Sequence, residues 1–532
     1  MSINPFEDFI KFISDKHGEE NWVTAYKHEP INNSAHDGGM YCALITQEST
    51  EKAIDQPGWD LMSGSGGPGF CISYEAEKEA TTYYTNPDER FLRLVLNRDF
   101  HGRKKDYVEI LEEFRLFHNL YYEIKNSSYI SFDDSGDEVE VIKVTNNEVK
   151  IRRRFLRSFM AAKQMNLLLY FELTRHFKHR ETFSCDQKNG TLTYTIYSGD
   201  SYSDGFLSFS RILGKKLIFC EPVEKCNIWP FEQDKEYQEF IIGGDSDEPQ
   251  KFTCNPDLLA NYFGANPDAP HYLTPVFFRA EVMQKYYGSS EYEIEDSYLR
   301  RRGAWSLRFD NNSPNHISVF LGDLGRDLPE KEQIYWKSFN LIPDGRKISR
   351  TNFERSFIGN FYDPENPEHR FKHKYKEIQK RWKKKYGWQL FLPLCEKDEH
   401  FLGSLRSMLT NEQSEFDSQV LALTKVTIDS VNVKSLRSYL GISDPNAKSI
   451  SLVEELLRQL QSEHLVALTS LLRGIQSVRS TGVAHRKGTE YEKTIAKLNI
   501  DTEDYRSEFD QLLLGTVYLL DEIIKLDTSK SE

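Results

Sequence analysis

The stretch 503–526, EDYRSEFDQLLLGTVYLLDEIIKL, places Tyr505, Phe509, Leu512, Leu513, Val517, Leu520 and Ile524 on one stripe of a helix. No proline interrupts it. A stripe this long must cover its apolar face with neighbouring helices, and the chain before it supplies them. Residues 412–429, 433–439, 451–461, 463–478 and 490–498 all carry helical periodicity, and strand patterns vanish after about Asp398. The expectation is a C-terminal all-α bundle over 399–532.

Further upstream the pattern is mixed, which makes the whole chain α+β: a large mixed N-terminal region followed by an all-α C-terminal helical bundle. We divide the mixed region into 1–180 and 181–398, with continuity of the second with the first left open. Tyr41 to Gln47 reads as a strand, and Val108, Leu111, Phe114 and Phe117 have helical spacing within 106–119. Val139, Val141 and Val144, then Asn146-Asn147, then Val149 and Ile151, form a hairpin pattern. A helix over 154–177 is expected to follow. Trp305 to Phe309, a turn over Asp310-Asn311-Asn312-Ser313-Pro314, and His316 to Leu321 read as a second hairpin. Pro329 stands where a helix over 330–339 begins.

Composition bounds the function. The 532 residues are 39% hydrophobic and 28% charged, with 68 basic against 82 acidic side chains and a net charge of -14. A chain of that length makes roughly three or four domains of ordinary size. The acidic balance argues against a protein that grips nucleic acid over its whole surface. No apolar run approaches the ~20 residues of a membrane-spanning helix, and the N-terminus suits an amphipathic helix, not a signal peptide. We expect a cytoplasmic protein with no membrane partner. Seven cysteines without a CxxC pair argue against a disulfide framework or a structural zinc site. The nearest metal-ligand grouping, His176, His179 and Cys185, reads better as a basic, solvated helix end, and we expect no metal and no cofactor.

Two local features resist that acidic average. Between Arg370 and Lys385 lie nine Lys or Arg and one acidic residue, interleaved with Phe371, Tyr375 and Trp382. Lys380, Arg381, Lys383 and Lys384 can neutralise phosphates there while the rings stack on bases. Equally, Tyr375, Ile378 and Trp382 make an ordinary buried stripe behind a solvated cationic face. The Gly-rich run Gly64 to Gly69 lacks the Gly-Lys-Ser/Thr ending of a phosphate loop and reads as a surface loop.

The second feature lies at 471–488, LLRGIQSVRSTGVAHRKG. Leu465, Leu468, Leu472 and Ile475 form a helical face that Arg479 continues. A cation aimed inward needs an anion beside it, either a carboxylate or a bound phosphate. His485 follows Arg479 with five residues between, then Arg486 and Lys487. A second Arg to His spacing, Arg458 to His464, falls in a continuous helical stretch without a glycine.

An Arg, four to six residues and a His within a small helical bundle resembles the HEPN superfamily, many of whose members are metal-independent RNA endonucleases of bacterial defence and toxin systems. The resemblance covers about the last quarter of the chain. It implies that Arg479, His485 and Ser480 are catalytic and that Arg486 and Lys487 hold flanking RNA phosphates. It also implies a homodimer or higher oligomer; the N-terminal region is then expected to be a sensor, for a phage-derived or other protein trigger, or a regulator that restrains the nuclease, in abortive anti-phage defence. Ser480 departs from the Asn, Asp or His common after the Arg in that family. The rival expectation is a non-catalytic scaffold or sensor whose bundle mediates oligomerisation or nucleic-acid binding.

Overall fold

The computed structural model describes residues 4–29, 36–55, 69–75, 78–84, 91–98, 100, 102–145, 147–230, 232, 235–313, 315–395, 397–398, 400–483 and 489–529. The chain forms two compact units. One holds residues up to Lys235 apart from Asp134–Gly136, and the other holds that tripeptide and everything from Glu236 onward. The N-terminal region is β-rich and the chain is helical from Pro367 on, so the mixed region followed by a helical region stands as expected.

The first unit is organised by an eleven-stranded antiparallel sheet. Its strands are β1 (Trp22–Glu29), β2 (His36–Thr46), β3 (Phe91–Arg93), β4 (Tyr121–Glu123), β5 (Ser128–Phe132), β6 (Glu138–Val144), β7 (Glu148–Arg152), β8 (Met165–Phe177), β9 (Cys185–Asn189), β10 (Leu192–Asp200) and β11 (Ser208–Ile218). They lie in the order β9-β10-β11-β8-β2-β1-β7-β6-β5-β4, with β3 on β2. The hairpin of β6 and β7 is present, with Ile142 opposite Ile151 and Val144 opposite Val149.

The helix expected over 154–177 is a correction. Helix α1 (Glu7–Asp15) lies near the N-terminus, and helix α2 (Arg153–Lys163) stops where Gln164 turns left-handed at φ 52° and its N–H caps the carbonyls of Met160 and Ala161. The chain continues as β8, in which Leu167 to Phe171 are at most 5% exposed. A strand covered on both faces is apolar at every position, so its run carries no period that separates it from a buried helix. The helix expected within 106–119 shrinks for a related reason: Tyr107–Ile110 is a strand and only Glu112–Phe117 is helical.

The second unit begins with strands β12 (Glu239–Gly244), β13 (Pro249–Thr253), β14 (Pro275–Phe278), β15 (Tyr292–Glu295), β16 (Tyr298–Arg301), β17 (Trp305–Arg308), β18 (Ile317–Phe320) and β19 (Asn340–Leu341), in three small sheets. Helix α3 (Glu330–Lys337) starts after Pro329 as expected, and its Trp336 indole donates to the Tyr286 hydroxyl at 2.7 Å in the core. The second expected hairpin does not form. β17 pairs with β16 and β18 with β14, and among the described residues the two segments are joined by a bridge between Asp310 and Ser318. The Asp310–Asn312 loop is buried, which a solvated hairpin turn would not be.

The bundle consists of α4 (Pro367–Tyr386), α5 (Gln413–Thr427), α6 (Val433–Leu440), α7 (Ser449–Gln459), α8 (Leu465–Val478), α9 (Thr489–Leu498) and α10 (Tyr505–Ser529). Local chemistry sets its ends. Asn366 caps α4 by accepting the Glu368 N–H, Pro367 occupies the first turn, and Gly387 closes it at φ 80°. The α10 stripe is inside: Phe509, Leu513 and Leu520 are fully buried, each contributing about 2 kcal/mol of apolar burial.

Candidate functional site

Helix α8 buries Leu468, Leu472, Ile475 and Val478, and then widens into a single π-turn, Arg479–Val483. Two side chains act on the backbone there. The Ser480 hydroxyl donates to the Gln476 carbonyl, and the Thr481 hydroxyl donates to the Ser477 carbonyl at 2.8 Å. Such bonds to the preceding turn bend helices, and isolated π-turns recur at functional positions. Gly482 lets the turn seat against its neighbours, since a Cβ on it would lie 2.8 Å from Tyr491 Cε2 and 3.2 Å from Asp417 Oδ1. Tyr491, on α9, is itself held by the Gln413 amide of α5 at 3.0 Å. The π-turn is thus packed between two helices.

Arg479 emerges from this turn about one-third exposed, with its Nη2 3.9 Å from Asp429 Oδ2 just beyond α5. The expected anion is a carboxylate, at a separation longer than a hydrogen bond. Ser480 lies beside it with its proton committed to its own helix. His485, Arg486 and Lys487 lie outside the described residues, as do Gly64 to Pro68 of the Gly-rich run. The other spacing match divides between two helices: Arg458 on α7 pairs with Glu454 and Glu455, while His464 precedes α8 with its ring against Tyr518.

On α4 the buried-stripe alternative describes the aromatics. Phe371, Tyr375, Ile378 and Trp382 are at most 7% exposed, leaving no ring face for a base. Lys380, Arg381, Lys383 and Lys384 are on the solvent face, where Arg381 pairs with Glu377 at 2.7 Å. The grouping of His176, His179 and Cys185 is not on a helix. His176 lies in β8 with its Nδ1 3.0 Å from the Ser201 hydroxyl, and Cys185 opens β9.

Sequence reasoning missed a buried polar network in the second unit. The Asp310 carboxylate accepts the Ser349 N–H and hydroxyl, both at 2.7 Å. Asn312 donates to Asp296 at 2.9 Å and accepts the N–H groups of Glu365 and Asn366 at 3.0 and 3.3 Å. Asn366 in turn accepts the Ser407 hydroxyl, which also donates to Asp510 at 2.7 Å. Asn312, Glu368, His369, Ser407 and Asp510 line a cleft of about 660 Å³. Burial would raise Glu368, but Lys372, His369 and Arg406 beside it hold its pKa below the usual range. Burial lowers His369, opposed in part by the Glu368 and Asp296 carboxylates beside it, and burial raises Asp510 in spite of the Ser407 bond. The signal was the pair of amides in Asp310-Asn311-Asn312 together with Asn366-Pro367. Read locally, both are turn chemistry.

Among the described residues, no three His, Cys, Asp or Glu side chains are grouped as a metal ion requires, and no helix is long and apolar enough to cross a membrane. No protein-family model matches the chain, and no curated protein sequence or solved structure shows a significant match to it.

Proposed function

We propose that the helical region is a HEPN-like, metal-independent RNA endonuclease acting through Arg479 and His485. The observation that carries this reading is Arg479 itself: a partly exposed guanidinium on a π-turn, with its carboxylate neighbour at 3.9 Å, six positions before the histidine. RNA contains its own nucleophile. The imidazole of His485 takes the 2′-hydroxyl proton as that oxygen attacks phosphorus, and a proton returned to the 5′-oxygen lets it leave, giving a cyclic phosphate and a 5′-hydroxyl. Arg479 supplies a donor fork to the phosphoryl oxygens as their charge grows. Ser480, with acceptor capacity remaining, orients one of these groups. Arg486, Lys487 and the α4 cations Lys380, Arg381, Lys383 and Lys384 hold flanking phosphates.

On this reading the protein is cytoplasmic, needs no cofactor, and works as a homodimer or higher oligomer in anti-phage defence, with the N-terminal region as sensor of a phage-derived or other protein trigger or as regulator of the nuclease. The test is RNA cleavage by wild type beside His485→Ala, each in EDTA and in magnesium. Loss of cleavage in the variant supports the reading, and equal, metal-dependent cutting by both sinks it. The Asp429 contact also favours a second reading, a non-catalytic scaffold in which Arg479 serves only an ion pair. That reading expects neither protein to cut.

A further inference from the structure

A groove of about 640 Å³ runs along β14 and the segment 343–353, lined by Phe277, Pro343, Arg346, Lys347, Arg350 and Phe353 among others. Its lining carries three cations and no carboxylate, in a chain of net charge -14. Among the described residues the two arginines have long ion pairs, Arg346 at 4.0 Å from Asp344 and Arg350 at 3.9 Å from Glu354; Arg346 also donates to the Ile342 carbonyl at 2.8 Å, and Arg350 lies 5.2 Å over the Tyr362 ring. Both are thus weakly neutralised. Beside them stands a row of uncovered rings. Phe353 is 46% exposed and stacks on Phe357, itself 43% exposed, with centroids 5.7 Å apart and planes 24° from parallel. Phe361, 89% exposed, follows in the same segment. Large apolar rings left in water next to weakly neutralised positive charge mark a binding surface, and here both features select the same occupant.

A ligand that satisfies the surface must carry anionic groups at intervals and flat, stackable faces between them. Phosphates joined by bases meet both conditions, and a flexible single strand can lay a base on Phe353 while its backbone follows the cations. We infer that this groove is a single-stranded RNA site, with Arg346, Lys347 and Arg350 on the phosphates and Phe353 under a base. The choice of RNA rests on the ribonuclease reading, whereas the anionic, ring-bearing nature of the occupant rests on the groove.

Binding is read by fluorescence anisotropy on the full chain, using a labelled, fully 2′-O-methylated RNA of about twelve nucleotides that the 2′-hydroxyl chemistry cannot cut. Three phosphate contacts give a salt dependence of log K on log salt of about -2. Lys347→Glu with Arg350→Glu is expected to weaken binding more than about tenfold and flatten that slope. Phe353→Ala is expected to weaken it about tenfold with the slope kept, because stacking releases no counterions. The control charge reversal Lys434→Glu with Lys497→Glu, at exposed positions of α6 and α9 outside the groove lining, changes net charge equally and is expected to leave affinity within about threefold. Unaltered thermal melting shows that the variants fold. Absence of binding by wild type, or equal binding by the groove variants, overturns the proposal. So does groove-dependent binding of an anionic lipid vesicle or a phosphopeptide in place of RNA. Cleavage of unmodified RNA is scored apart from this, so a protein that binds through the groove and never cuts sinks the ribonuclease reading alone.

Discussion

Arg479 Nη2 and Asp429 Oδ2 stand 3.9 Å apart where the ends of α8 and α5 meet, and both side chains are about one-third exposed. A pair this open contributes about 0 to 1 kcal/mol to folding. Arg479→Ala should therefore leave the thermal midpoint nearly unchanged while lowering RNA cleavage by about a hundredfold or more. Arg479→Lys, which keeps the charge but loses the fork, should not restore cleavage. Melting curves and cleavage rates on the same preparations check both. A large stability loss in Arg479→Ala would assign the residue to the fold.

Asn312→Asp tests the buried network. The new carboxylate can still accept the two backbone N–H groups, but the donor that met Asp296 at 2.9 Å is replaced by a second negative oxygen. Asp296 is partly buried, which alone would raise it, yet its pKa is held down by Asn312, His369 and Arg355. Removing one of those supports and adding a charge should cost about 3 kcal/mol or more at neutral pH. One carboxyl of the pair will then have a folded pKa above its unfolded value. The penalty should therefore ease as pH falls from about 7 toward 4. Denaturant midpoints across that range measure it, and a pH-independent deficit would be against the like-charge explanation.

Helix α4 offers a contrast within one element. Trp382 is 2% exposed, so Trp382→Ala should destabilise by about 3–5 kcal/mol. Lys380→Ala and Lys383→Ala, on the opposite face, should change stability by no more than about 0.5 kcal/mol each. Thermal melts of the three variants are sufficient, and equal effects would contradict the burial assignment.

His118 should impose a pH dependence on the first unit. It sits among the rings of Phe114, Phe117 and Phe155, with its Nε2 2.9 Å from the Phe155 carbonyl. Burial depresses its pKa to about 4 in spite of that bond. Between about pH 6.5 and 4 the unfolded chain binds a proton that the folded one refuses, so stability falls as pH falls through that window, by up to about 3 kcal/mol. Urea unfolding of wild type and His118→Phe should diverge in slope there, with the variant flatter. Parallel curves would clear His118 of the effect.

How far the sequence could be read depended on whether a residue's partner was near in the chain. The helices α5 to α10 were legible because their stripes, the Asn432 cap and the absence of proline act within a few residues. The β6–β7 hairpin was legible for the same reason. Met165 to Phe171 was not, because a strand between two others has the same apolar run as a core helix, and only its pairing with β2 and β11 distinguishes them. Asp310-Asn311-Asn312 looked like a solvated turn until partners 39 to 55 residues away were in place.

By itself the sequence determined that the chain folds into a mixed region followed by helices, that its charge is acidic overall with local basic exceptions, and that Arg479 continues the line of an apolar helix face. These follow from composition and periodicity, which any neighbourhood must respect. The tertiary structure alone decided that the anion beside Arg479 is Asp429, that the α4 rings face the core, and that Arg346, Lys347, Arg350 and Phe353 share one groove. Each of these depends on which distant segments meet, and a local pattern fixes the face a residue presents without naming what it will face.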